Sequence, residues 1–143
     1  MTDINFAPHF AGGEVLVVDD NELSRRAMRE LLQSVGLNVT VVEHGAAAVN
    51  AVRSRKDSGR LPFGLICMDI HMPVMDGLQA SAEIAKLETG CTVVAMTADT
   101  KAFANKPYSD FGMTGIIGKP LVPQEVWRVL AKCFEKRAEF GAA

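Results

Sequence analysis

An apolar run that stops at a carboxylate constrains this chain more than any other feature: Leu65, Ile66, Cys67 and Met68 lead into Asp69, and Ile70-His71-Met72-Pro73-Val74-Met75-Asp76-Gly77 follows. Four consecutive apolar residues, preceded by Pro62 and Gly64, predict a strand buried on both faces with Asp69 at its carboxyl end. Open α/β sheets bind their ligands at that end. Pro73 and the Asp76-Gly77 pair force the chain into a loop before the next helix, so Asp69 is expected at the rim of a crevice. A lone aspartate at a strand end is more often structural than reactive, and other stretches of the chain decide between the two.

Strand and helix patterns alternate along the sequence. Met1 to Gly13 has no period and reads as a leader. Glu14 to Val18 is a first strand running into Asp19-Asp20-Asn21, all helix N-cap types. The helix that follows carries Leu23, Ala27 and Leu31 on one stripe, with Met28, Leu32 and Val35 beside it, and stops at Gly36. A second strand is expected near Val39 to Val42, then a helix from Gly45 to Arg55 whose apolar side is Ala48, Val49 and Val52. Lys56 to Leu61 is polar and glycine-containing, a surface loop on this reading. The third strand, Phe63 to Met68, delivers Asp69. After it come a helix from Gly77 to Glu88, a fourth strand from Thr92 to Met96 ending in Thr97, and a short fifth strand, Gly115 to Gly118, ending in Lys119-Pro120. A last helix opens near Pro123, a favoured first-turn position, and runs to about Arg137 with Val126, Val129, Leu130 and Cys133 on one face. Trp127, next to that stripe, is read as packing.

Strands that alternate with helices of about ten to fifteen residues mean βαβ units, and right-handed crossovers turn these into a parallel sheet covered on both faces. The expected fold is a doubly wound five-stranded α/β sandwich. With 143 residues, 48% of them hydrophobic, the chain suits one compact domain with a real core. A net charge of -2 with mixed signs provides no basic stripe for nucleic acid, and no apolar run reaches the length needed to span a bilayer. The first residues lack the basic and apolar regions of a signal peptide, so a cytoplasmic location is expected. Cys67, Cys91 and Cys133 form no C-x-x-C pair and are expected as buried free thiols.

In such a sheet the strand ends gather at one edge, and here they bring Asp19, Asp20, Asp69, Thr97 and Lys119 together. Crowded carboxylates repel, and the usual remedies are a divalent cation or a raised pKa. Magnesium suits an all-oxygen site that a phosphate completes. A carboxylate can also act as a nucleophile, with an aspartyl phosphate as the covalent product. Phosphoryl transfer asks the protein mainly for positioning and charge neutralisation, so a metal on one side and a lysine on the other supply its needs, with Thr97 donating to a phosphoryl oxygen.

Val17-Val18-Asp19-Asp20, Met68-Asp69-Ile70-His71-Met72-Pro73, Asp76-Gly77, Met96-Thr97-Ala98 and Gly118-Lys119-Pro120 together resemble the receiver domain of two-component response regulators. The wording around Asp69 is also similar to receivers fused in hybrid histidine kinases. The likeness covers Glu14 to Arg137, so residues 1–13 become a leader, 14–137 the receiver domain and 138–143 a C-terminal tail. The resemblance implies that Asp69 is the phosphoacceptor, that Asp19, Asp20 and Asp69 hold Mg2+, and that the backbone carbonyl of His71 completes the protein ligands. Thr97 and Lys119 correspond to the family's phosphoryl-contacting hydroxyl and lysine. The donor is then a phosphohistidine on a histidine kinase or a histidine phosphotransfer protein, and the domain catalyses only its own phosphorylation and dephosphorylation. His71 and Asp99, each two residues beyond a site residue, are expected to tune the lifetime of the phosphorylated form.

Rival readings remain. Asp20 and Asn21 suit helix capping alone, Asp19 suits capping alongside a metal, and a receiver-like interaction module that takes no phosphate would keep the same fold. An aspartyl-phosphate hydrolase of the haloacid-dehalogenase type normally carries its nucleophile on the first strand with a second aspartate two residues later, where this chain has His71. No G-x-G-x-x-G follows the first strand, which argues against a dinucleotide binder. The chain also departs from the receiver pattern at Ile116, where an aromatic switch residue is usual, and in Lys101 to Tyr108, where Pro107 makes a regular helix costly by roughly 3 kcal/mol. The fourth helix of the family is expected to be short, broken at Lys106 or begun at Pro107, and Tyr108 is a substitute aromatic reporter in an order-disorder change of residues 99–112.

Overall fold

The computed structural model describes residues 10, 12–70, 76–98 and 107–134. Five strands, β1 (Glu14–Val18), β2 (Asn38–Val42), β3 (Leu65–Asp69), β4 (Thr92–Thr97) and β5 (Met113–Gly118), form one parallel sheet in the order β2-β1-β3-β4-β5. Four α-helices cover it: α1 (Glu22–Ser34), α2 (Gly45–Ser58), α3 (Gly77–Lys86) and α4 (Pro123–Cys133). The strand order reverses direction between β1 and β3, the place where a doubly wound sheet opens a crevice.

Alternation along the strands separates two cores. Val15, Val17, Leu65, Cys67, Val94 and Met96 point to the face covered by Met28 and Leu32 of α1 and Val126 and Leu130 of α4. Leu16, Val18, Ile66, Met68 and Ala95 point to the other face, under Ala48, Val49 and Val52 of α2 and Ala80 and Ile84 of α3. All five residues of β3 are buried, as the uninterrupted apolar run requires of a central parallel strand.

Several boundaries differ from the sequence reading, each for a local reason. On α1 the buried residues are Met28 and Leu32, and Leu23 is 73% exposed: the helix meets the sheet with the neighbouring stripe. Helix α2 runs through Lys56, Asp57 and Ser58, a segment expected as loop. The three residues after Arg55 face solvent and need no apolar side chain, and Gly59, in the left-handed region at φ 73°, supplies the stop. Helix α3 ends at Lys86, earlier than Glu88, because Leu87 closes the last turn and Glu88 takes φ 53°. Helix α4 ends at Cys133, before Arg137: Phe134 adopts extended angles and packs its ring against that of Phe10, 6.3 Å between centroids. Between β4 and β5 the described residues hold a single 3-10 turn, Tyr108–Phe111, that begins right after Pro107, in keeping with the proline argument. Lys101 to Lys106 lie outside the described residues, as do the leader up to His9, the residues His71 and Asp99 expected to tune lifetime, and the tail from Glu135 on.

Cys67 is buried, Cys91 and Cys133 are half-buried, and all three are free thiols. Trp127 packs against the α1 and α4 core, and its indole N–H is enclosed without a hydrogen-bond partner among the described residues. No helix among the described residues is long and apolar enough to cross a membrane.

Candidate functional site

The carboxyl ends of β1, β3, β4 and β5 converge on one cluster. Asp19 follows β1 and is 1% exposed; Asp69 ends β3 and is 5% exposed; Thr97 ends β4 and is buried; Asp20 is exposed at the rim. One carboxylate oxygen from each of Asp19, Asp20 and Asp69 lies within 4.8 Å of the others. Register places the cluster: Asp69 is paired with Met96 across β3 and β4, and Thr97 with Gly118 across β4 and β5, so the nucleophile candidate, the hydroxyl and the lysine stand on consecutive strands.

Lys119 is the counter-charge. Its Nζ donates to Asp19 Oδ2 at 2.8 Å and stands 3.7 Å from Asp69 Oδ2. Its backbone N–H donates to the carbonyl of Thr97 at 3.0 Å, which fixes where the side chain starts. Asp19 is held at every polar atom by a different element. Oδ1 accepts the N–H of Asn21 at 2.9 Å, Oδ2 accepts Lys119, and the carbonyl accepts Arg25 Nη1 at 2.8 Å. Capping of α1 falls to Asn21, whose side chain accepts the N–H of Ser24, so neither Asp19 nor Asp20 is spent as the cap.

The Asp76-Gly77 pair fixes the start of α3 beside Asp69. Asp76 caps α3 in a reciprocal box with Gln79, its Oδ1 accepting the Gln79 N–H at 2.8 Å while Gln79 Oε1 accepts the Asp76 N–H at 3.2 Å. Gly77 packs against the backbone of Asp69 and Ile70 so closely that a Cβ there would meet the Asp69 carbonyl oxygen. Sequence reasoning read the pair as a turn and missed this contact, which sets the height of the Asp69 backbone.

Among the described residues the three carboxylates and one ammonium leave the cluster two negative charges in excess. The donor set is hard oxygen throughout, two groups buried and one at the rim, which fits a divalent cation of the magnesium type and leaves room for waters or a phosphate. The carbonyl of His71 lies outside the described residues. Beside the cluster an apolar groove of about 370 Å³ runs from Asp19 and Lys119 along Leu23, Ala27 and Leu121.

Comparison with known proteins agrees with this arrangement. Residues 15–131 match the response regulator receiver domain family. The sensor histidine kinase GacS of Pseudomonas protegens is 33% identical over 123 residues, covering 82% of this chain and 13% of the kinase. Hybrid signal transduction histidine kinase E of Dictyostelium discoideum is 32% identical over 111 residues, covering 74% of this chain and 6% of that protein. The chain therefore spans a small part of the length of the curated relatives it matches. The receiver domain of a Pseudomonas aeruginosa sensor histidine kinase, solved with a magnesium ion coordinated in its active-site cleft, superposes with a TM-score of 0.75 at 30% identity, covering 86% of this chain and 98% of that one. The sheet order, the acidic cluster and these matches lead to one conclusion: the chain belongs to the response regulator receiver domain family of two-component signalling.

Proposed function

We propose that this domain accepts a phosphoryl group from a phosphohistidine onto Asp69 and passes the signal on by a change of conformation. The observation that carries the reading is the juxtaposition of buried Asp69 with Lys119 at 3.7 Å and with the carboxylates of Asp19 and Asp20. A carboxylate oxygen of Asp69 attacks phosphorus, the bond from phosphorus to the imidazole nitrogen breaks, and an aspartyl phosphate forms. Lys119 is placed to neutralise charge on the phosphoryl oxygens, and the Thr97 hydroxyl to donate to one of them. Asp19, Asp20 and Asp69 would hold Mg2+, which would add its positive charge to that of Lys119 beside the phosphoryl group. The donor is a histidine kinase or a histidine phosphotransfer protein, for which the exposed Leu23 and the groove beside Asp19 offer apolar surface. The functional unit is assigned to residues 14–137, working in the cytoplasm. Its only chemistry is on itself.

A small-molecule phosphodonor such as acetyl phosphate, with and without magnesium, tests the reading. The parent should gain the mass of one phosphoryl group only with magnesium, and Asp69→Asn, which keeps size and removes the nucleophile, should gain none. Equal incorporation by parent and Asp69→Asn would overturn the assignment.

A further inference from the structure

The opposite margin of the sheet from β5 carries features that the acidic cluster does not use. Among the described residues strand β2 is an edge strand, bonded only to β1 in a continuous five-residue register. The Asn38 N–H donates to Gly13 and the Val42 carbonyl accepts from Asp19, so these residues turn their polar groups inward to β1. By the two-residue period of a strand, Val39 and Val41 turn theirs outward. Natural edge strands are usually blunted by a lysine, a proline or a bulge, and Asn38-Val39-Thr40-Val41-Val42 has none.

Alongside this edge runs a groove of about 510 Å³ with Arg25, Arg26 and Arg29 of α1 on one wall and His44 and Ala47, at the start of α2, on the other. Among the described residues Arg25 and Arg29 form no ion pair, Arg25 being bonded to a carbonyl, and Arg26 reaches Glu22 only at 4.0 Å. Glu22 and Glu43 also line the groove, leaving one net positive charge from side chains. To this the opening turn of α2 adds its positive end, with no acidic residue there to offset it. His44 Nδ1 accepts the N–H of Ala47, which puts the proton of the neutral ring on Nε2, a further donor.

We propose that this margin docks an extended acidic segment of a partner protein, added to β2 as a sixth strand. The spacing matches: Arg25 and Arg29 are one helical turn apart, about 6 Å along α1, and alternate residues of an added strand lie about 6.6 to 6.8 Å apart. Carboxylates at every second position therefore meet successive arginines while the segment's backbone pairs with Val39 and Val41, the combination of main-chain affinity and side-chain selection seen in strand addition.

The test uses the whole chain and the peptide acetyl-SEVEVES-amide, with acetyl-SKVKVKS-amide as the charge-reversed control. Amide exchange followed by NMR should show Val39 and Val41 protected by about tenfold on adding the acidic peptide and unchanged by the basic one. Arg29→Glu, a change at a half-buried groove residue outside the acidic cluster, should weaken the acidic peptide by about tenfold while its amide spectrum keeps the parent's fold. Unaltered exchange at Val39 and Val41, equal binding of both peptides, or an Arg29→Glu affinity within about twofold of the parent would overturn the proposal. So would protection of Val39 and Val41 that rises with protein concentration in the absence of peptide, because the edge would then belong to a second copy.

Discussion

The two ends of the sheet bury charge in opposite ways. At the amino end, Arg55 lies almost fully buried on the apolar side of α2, its Nη2 2.9 Å from Glu14 Oε1 and its Nη1 3.1 Å from the Leu61 carbonyl, with the guanidinium 3.8 Å above the Phe63 ring. One positive charge meets one negative charge, and the remaining donors meet a carbonyl and an aromatic face. At the carboxyl end three carboxylates gather around one ammonium, and among the described residues this leaves two negative charges in excess. A balanced buried pair holds a fold; an unbalanced cluster waits for a cation or a phosphoryl group. The difference assigns stability to one end and chemistry to the other.

The largest effect should come where the carboxyl end depends on backbone contact. Gly77→Ala places a methyl group on the Asp69 carbonyl and the Ile70 Cα, and backbone atoms in a central strand cannot yield as a side chain can. A loss on the order of 3 kcal/mol is expected in urea unfolding, with slower phosphorylation of what remains folded. A loss under about 0.5 kcal/mol would show that Gly77 is not what seats Asp69.

At the amino end, Arg55→Ala should cost about 2 to 3 kcal/mol, since it leaves Glu14 without its cation and uncovers Phe63. Arg55→Met, which keeps the stem packed, should recover about 1 kcal/mol. Neither should alter phosphate incorporation per folded molecule. A change in that yield would mean that the two ends are coupled, and the division of labour would fail.

How much of this could be read from residues alone follows the same division. The carboxyl end was legible because each apolar strand there terminates in a polar residue, and a parallel sheet can only bring such residues together: Asp19, Asp69, Thr97 and Lys119 fall where strand ends predicted them. Their roles in phosphoryl transfer rest on the family and on the proposal above. The amino end was not legible as a site. Arg55 sits three residues after Val52 on the buried stripe of α2, a spacing visible in the sequence, but the polar run after it suggested a loop and hid the position. Leu23 shows the reverse error, an apolar residue at helical spacing that the sheet does not cover. Periodicity states which residues can share a face, and the crossing of helix and sheet decides how much of that face is buried. The contact of Gly77 with Asp69 joins residues through a loop and has no periodic signal at all.

Between the ends, Cys67 offers a control for burial without compensation. It is fully buried in β3, and desolvation, helped by the neighbouring Cys133 thiol, pushes its thiol from the ordinary 9.0 up to about 12. The folded chain thus holds this proton in a range where the unfolded chain releases it, so stability is complete below about pH 9 and declines as pH rises toward about 12. The slope approaches about 1.4 kcal/mol per pH unit as an upper limit. Parent and Cys67→Ala, compared in urea unfolding at pH 8 and about pH 10, should differ in this slope, the variant lacking it; identical slopes would mean that the thiol is not shielded from water.

The smallest effect is the one that separates the two kinds of buried charge most cleanly, because its sign depends on conditions. Asp20 is exposed, and Lys119 pairs with Asp19 and approaches Asp69 without reaching Asp20. Without a divalent cation its carboxylate therefore adds repulsion and, among the described residues, no compensating contact. Asp20→Ala should leave stability unchanged or raise it by a few tenths of a kcal/mol, an amount limited by solvent screening at the rim. Adding magnesium should reverse the order. A ligand that binds only the folded chain stabilises it by about 2.7 kcal/mol at one hundred times its dissociation constant, and the variant, short of one of three carboxylates, should capture less of that gain. Thermal unfolding of both proteins across a magnesium titration would then trace two curves that cross, the variant higher at the start and the parent higher at the end. Parallel curves would mean that Asp20 takes no part in holding the cation, and parent stability above the variant in the absence of metal would mean that the carboxyl end is better balanced than the count of charges implies.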